Sequence, residues 1–144
     1  MKDLFVVDAS VVLKWVLPKG HEPWQEPAWA LFGALRQRSI DVAVPDLWWY
    51  EVGNILSRKY PERAADHLSA LAVVLGEGLS MSEVSLRTTC LSLVQRYRVT
   101  FYDAAYHALA IVQEGVFITA DEKYLQAAAG EAHVMHLRDW DFKV

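Results

Sequence analysis

Residues 4–17 read LFVVDASVVLKWVL, an apolar run interrupted at Asp8 and again at Lys14. A run of this kind can be a buried strand, a membrane span or a secretion signal. A carboxylate inside any of them needs a partner or takes up a proton. The run is too short and too charged to cross a bilayer, and an opening of Met-Lys-Asp makes a poor signal peptide. It therefore divides in two. Leu4–Asp8 reads as a strand, and residues 9–17 read as the helix that leaves it, amphipathic enough to carry Lys14 outward. Asp8 sits at the join, on the carboxyl edge of the strand.

The rest of the chain fits that beginning. At 144 residues, 53% hydrophobic and 22% charged, residues 1–144 are expected to form one globular domain. Cys90 is the single cysteine and has no internal disulfide partner, which fits a reducing compartment. The expectation is a soluble cytoplasmic protein without membrane contact. A net charge of −4 argues against a broad basic surface for nucleic acid, although two bound divalent cations would neutralise it. Further strands are expected at Asp41–Val44, Leu79–Val84, Val116–Thr119 and His133–Leu137. The first and fourth of the five are almost continuously apolar, as in a parallel sheet covered on both faces.

Segments of helical period lie between them. Pro27 and Pro45-Asp46 open two, with Asp46 read as a cap. Pro61 stands at a first helical position, and Ser85 caps the next helix. Two more run from about Tyr102 to Glu114 and from about Asp121 to Ala129. Alternation of strands and helices implies an α/β fold with a mainly parallel sheet. Such sheets bind ligands beyond the carboxyl ends of their strands, at a switch point.

Four acids fall near that edge. Asp8 and Asp121 follow the first and fourth strands, and Asp103 lies in the first turn of TFYDAAYHALA. Glu51 borders the apolar stripe of its helix, with Asn54 and Arg58 on the same side. Taken singly, Asp103 and Asp121 read more readily as helix caps, since Thr100-x-x-Asp103 and Thr119-x-x-Glu122 match the capping-box pattern. Glu51 has Arg58 as its nearest sequence partner, two turns away. The combination says more. Carboxylates gathered at one edge repel unless a hard cation binds among them, and Mg²⁺ or Mn²⁺ prefers oxygen ligands. Such ions activate water and stabilise a phosphoryl group under in-line attack.

Four segments carry a resemblance. VVDASVVLKW, PDLWWYEVGNIL, VTFYDAAYHALA and FITADEKYL resemble, in order and spacing, the acid-bearing motifs of the PIN-domain family, specifically its VapC-like toxins of type II toxin–antitoxin systems. The resemblance covers essentially the whole chain and shows no departure at the acids. It implies a three-layer α/β/α sandwich around a five-stranded, mainly parallel sheet. It implies a Mg²⁺- or Mn²⁺-dependent endoribonuclease with one or two ions held by Asp8, Glu51, Asp103 and Asp121, cleaving RNA by metal-activated water. It also implies a homodimer blocked by a cognate antitoxin. Ser10 and Thr119 would orient the acids or the water, and Asn54 would support Glu51 or touch substrate.

Among the cations, Lys14, Arg58 and Lys123 lie close to acid-bearing segments and are candidate RNA contacts. Lys59, Arg96 and Arg98 could also hold RNA phosphates, although most charged side chains simply solvate a helix face. The five histidines form no zinc signature, and His107, one turn after Asp103, reads as a packing residue. Trp24, Trp29, Trp48 and Trp49 divide between core and surface, where an exposed ring would receive an apolar partner or stack a base. Two other classes compete. A non-catalytic PIN-fold binding module would have little use for all four acids. A signalling receiver domain wants paired acids near its first strand and a Lys after its last; here Asp8 stands alone and no Lys follows HVMHL.

Overall fold

The structure, a computed structural model, describes residues 2–141; Met1 and residues 142–144 of the expected 1–144 domain lie outside them. Strands β1 (Asp3–Val7), β2 (Ile40–Ala43), β3 (Val116–Thr119) and β4 (Val134–His136) form a parallel sheet in the order β2-β1-β3-β4. The helices are α1 (Ala9–Val16), α2 (Gln25–Arg36), α3 (Trp48–Lys59), α4 (Ala64–Leu75), α5 (Val84–Tyr97), α6 (Phe101–Val112) and α7 (Glu122–Ala127).

Alternate residues of β1 enter opposite cores. Phe5 and Val7 pack with α1 to α4, and Val6 packs with α5 and α6. Both faces are covered, which explains the unbroken apolar character of β1 and β3. Gly115 brings β3 against β1, because a Cβ there would stand 2.6 Å from the Leu4 carbonyl oxygen. That close approach accompanies the register Val7↔Ile118, so Asp8 and Thr119 come next along the two strands.

The sheet has four strands among the described residues, not five. Leu79–Val84 contributes only a single bridge from Leu79 to Pro45, with Leu79 N–H on the Val44 carbonyl and Asp46 N–H on the Leu79 carbonyl, both 2.8 Å. Beyond it, the Ser80 hydroxyl bonds Ser82 and bends the chain, and Val84 already begins α5. Mostly exposed serine and glutamate in this stretch cannot fill a strand covered on both faces.

Four expected helix starts also move. Helix α2 begins at Gln25, two residues before Pro27. Tyr60–Arg63 forms a turn closed by Arg63 N–H on the Tyr60 carbonyl at 3.0 Å, with Pro61 at its second position; α4 begins after it. Asp46 is exposed and does not cap α3, and Ser85 lies inside α5 rather than before it. No helix among the described residues is long and apolar enough to cross a membrane.

Candidate active site

The chain turns from β1 to β2 on one side and reaches β3 and β4 on the other, so the switch point lies between β1 and β3. Asp8 is at that point, 9% exposed. Its backbone carbonyl starts α1 by accepting from Val11 and Val12 N–H at 3.1 and 3.0 Å. Its side chain accepts from Ser10 Oγ at 2.5 Å and Thr119 Oγ1 at 2.6 Å. Each hydroxyl also accepts a backbone N–H, Ser10 from Ala120 at 2.9 Å and Thr119 from Asp121 at 3.0 Å. A hydroxyl has one proton to give. Both protons are therefore spent on Asp8, and the 3.4 Å approach of the two hydroxyls is a contact between acceptors.

Burial pushes the Asp8 carboxyl up to about 6, against the two hydroxyls that pull it down; the charges of Asp103 and Asp121 add to the rise. Glu51, on α3, is pushed up to about 7 by burial and then by Asp8 and Asp103. The Ala9 amide and the Tyr106 hydroxyl, 3.4 Å from Oε1, hold it in the opposite direction. Asp103 is raised by burial and by Asp121, with Thr100 opposing. The four acids thus feel one another across four segments of chain. Among the described residues, none of the four is in an ion pair with Lys or Arg.

Two of the acids are caps as well. Thr100 Oγ1 accepts from Asp103 N–H at 3.1 Å, one half of the expected capping box. The second box does not form: Thr119 is committed to Asp8, and Asp121 caps α7 by accepting from Tyr124 N–H at 3.1 Å.

The supporting and cationic residues divide. Ser10 and Thr119 contact Asp8. Asn54 is exposed and lines, with Glu51, Tyr50 and Tyr102, an open cleft of about 580 Å³. Arg58 and Lys123 are exposed, and Arg58 forms no ion pair with Glu51 among the described residues. Lys14 is not carried outward. It is 3% exposed, lies under the segment joining α1 to α2, and meets Glu22 Oε1 at 3.4 Å; a groove-surface RNA contact is not open to it in this arrangement.

His107 is fully buried between the Tyr124 hydroxyl and the Ala132 carbonyl, at 2.6 and 2.7 Å. Trp48 is core, Trp29 is half-buried with its Nε1–H on the Lys14 carbonyl, and Trp24 and Trp49 are exposed. Cys90 is buried, its thiol pushed up to about 11. Tyr106, which touches Glu51, was not singled out from sequence. Its place three residues after Asp103, on the same helix side, is the signal that points to it.

Hard oxygen donors without a cationic partner among the described residues suit a divalent cation in chemistry. As the side chains stand, no three Asp, Glu, His or Cys among the described residues are drawn close enough to hold one.

A parallel α/β sheet with an acidic pocket at its switch point defines the class. The PIN domain family model matches residues 5–130, and the chain belongs to that family. No curated protein matches it as a relative. In structure it is similar to FitAcB from Neisseria gonorrhoeae, with a TM-score of 0.70 at 14% identity over 94% of this chain and 99% of that one. A toxin–antitoxin complex from Klebsiella pneumoniae gives 0.64 at 18% over 94% and 98%. VapBC2 from Rickettsia felis, bound to a DNA fragment from their promoter, gives 0.69 at 12% over 96% and 99%.

Proposed function

We propose that this chain is a divalent-metal-dependent endoribonuclease and the toxin of a toxin–antitoxin pair. One observation carries the reading: four carboxylates from four segments converge on the switch point and receive no cation from the described chain. Asp8, Glu51, Asp103 and Asp121 would hold Mg²⁺ or Mn²⁺, as one or two ions. Bound there, the metal supplies an activated water and charge stabilisation for the phosphoryl group.

The chain's own residues prepare the site. Ser10 and Thr119 keep Asp8 oriented, and against the pull of burial they favour its ionised form. Tyr106 and the Ala9 amide do the same for Glu51. Arg58 and Lys123, exposed on α3 and α7, meet RNA phosphates, and Asn54 faces substrate from the wall of the Glu51 cleft. The antitoxin partner rests on structural relatives crystallised as toxin–antitoxin complexes. A homodimer is supported by exposed Trp49, Tyr50, Phe101 and Tyr102, of which Tyr50 borders two adjoining clefts.

The test is cleavage of a mixed single-stranded RNA pool by purified, partner-free protein. Cleavage requires Mg²⁺ or Mn²⁺, stops with chelator, and falls at least a hundredfold in Asp8→Asn and Asp103→Asn. An intact pool under these conditions overturns the reading. A second reading, a non-catalytic PIN-fold binding module, is compatible with acids that do not close into a ligand cluster among the described residues. A Mn²⁺ titration separates them, because a decayed site binds Mn²⁺ with the same weak affinity in the parent and in both variants.

A further inference from the structure

We propose that His136 and Arg138 form a phosphate subsite, walled by Trp24, that seats the RNA backbone beside the scissile bond. The subsite rests on the ribonuclease reading above. Its position comes from the sheet: β3 and β4 pair Thr119 with His136, so His136 stands one strand over from the residue that holds Asp8. Glu122 joins the two places. It follows Asp121 in the chain, and its Oε1 accepts from Arg138 at 2.9 Å.

His136 is 3% exposed. Its Nδ1 accepts from Arg138 N–H at 2.9 Å, so in the neutral ring the hydrogen sits on Nε2. That atom is buried and has no hydrogen-bond partner among the described residues; Glu122 Oε1, at 3.9 Å, is beyond hydrogen-bond reach. A buried donor left unmatched is costly, and each one calls for an explanation.

Arg138 is the second donor, with its guanidinium 5.9 Å from the Trp24 ring centroid. Trp24 is exposed, touches the His136 ring edge-on at 5.6 Å, and sits at φ 60. Left-handed backbone is costly for a bulky residue and gathers where a site demands it.

Trp24, Arg138, Glu22 and Lys19 line an open cleft of about 580 Å³. The carboxylate now on Arg138, Glu122, is 62% exposed and stands 3.9 Å from His136 Nε2, so a phosphate that displaces it meets both donors.

The experiment measures binding of a labelled single-stranded oligoribonucleotide to the Asp8→Asn protein with Mg²⁺, across a series of salt concentrations. Arg138→Gln weakens binding about fivefold and lowers the slope of log affinity against log salt by about 0.7, the value of one phosphate contact on single strands. Arg138→Lys keeps the slope. Glu122→Gln strengthens binding, and the gain vanishes in Arg138→Gln/Glu122→Gln, because Glu122 acts only by occupying Arg138. An unchanged slope in Arg138→Gln, or a Glu122→Gln gain that survives in the double variant, overturns the subsite. If the unsubstituted protein cuts RNA while either of these is seen, the subsite alone falls. If it neither binds nor cuts RNA, the ribonuclease reading falls and the subsite with it.

Discussion

Asp8 occupies a buried position because two hydroxyls are fixed as donors to it by backbone amides on their far sides. Removing one donor, as in Thr119→Val, leaves the carboxylate with less support. The Asp8 carboxyl then rises further, and Mn²⁺ affinity measured at pH 7 drops about tenfold. The pH sign follows from the same site. In the fold Asp8 titrates at about 6 and Glu51 at about 7, against ordinary values of 3.8 and 4.5. The folded chain therefore holds these protons more tightly than the unfolded chain. Their stabilising contribution is full below about pH 4 and is lost as pH rises through 6 and 7. Metal-free protein should melt several degrees higher at pH 5 than at pH 8. Asp8→Asn should stabilise the metal-free protein at pH 8 by about 1–3 kcal/mol, and so raise its melting point, while abolishing cleavage; a lower melting point in that variant contradicts the account. Asp8 itself was legible in sequence, since an acid ending an apolar run has few other uses. Lys14 was misread because helical periodicity describes one helix. It says nothing of the segment folded over α1, where Gln25 and Trp29 bond the Lys14 carbonyl.

Elements place the acids through their ends. Thr100 caps α6 and thereby fixes the turn that carries Asp103. Thr100→Ala should cost about 1 kcal/mol in denaturant unfolding and lower cleavage more than that loss of stability explains. Gly115 governs the pairing of β1 with β3. Gly115→Ala forces a methyl against the Leu4 carbonyl and should cost 2 kcal/mol or more, about the penalty of overpacking, with activity falling as Asp8 and Thr119 separate. The helices and four strands were readable from period and turn residues. The fifth strand was not a strand because extended propensity at Leu79 competes with serine-mediated bends directly after it. The same competition moved the α7 cap from Thr119 to Asp121: the Thr119 hydroxyl had a buried carboxylate to satisfy, a long-range demand that no local pattern contains.

At the scale of the molecule, a net charge of −4 is distributed unevenly. The acids crowd one sheet edge, and exposed rings gather beside it on α3 and α6. If those rings meet a second copy, Tyr102→Glu should shift the mass measured by light scattering from dimer to monomer while leaving the circular dichroism spectrum unchanged. A dimer mass in that variant places the contact elsewhere. The switch point between β1 and β3 could be foreseen from the order of strands and helices, because topology alone decides where a parallel sheet opens. Which loop covers which helix could not, and the Trp24 cleft belongs to that second category.

In the proposed metal site the Asp121 carboxylate would serve a cation as well as the helix it caps. Its Oδ1 accepts the Tyr124 amide at the start of α7, and Tyr124 in turn reaches His107 in the interior. A cation drawing on the same carboxylate weakens it as an acceptor for that amide. The Tyr124 amide proton is thus a built-in reporter of occupancy. Its exchange with deuterated solvent should quicken on adding Mg²⁺, while amides deeper in α6 keep their protection.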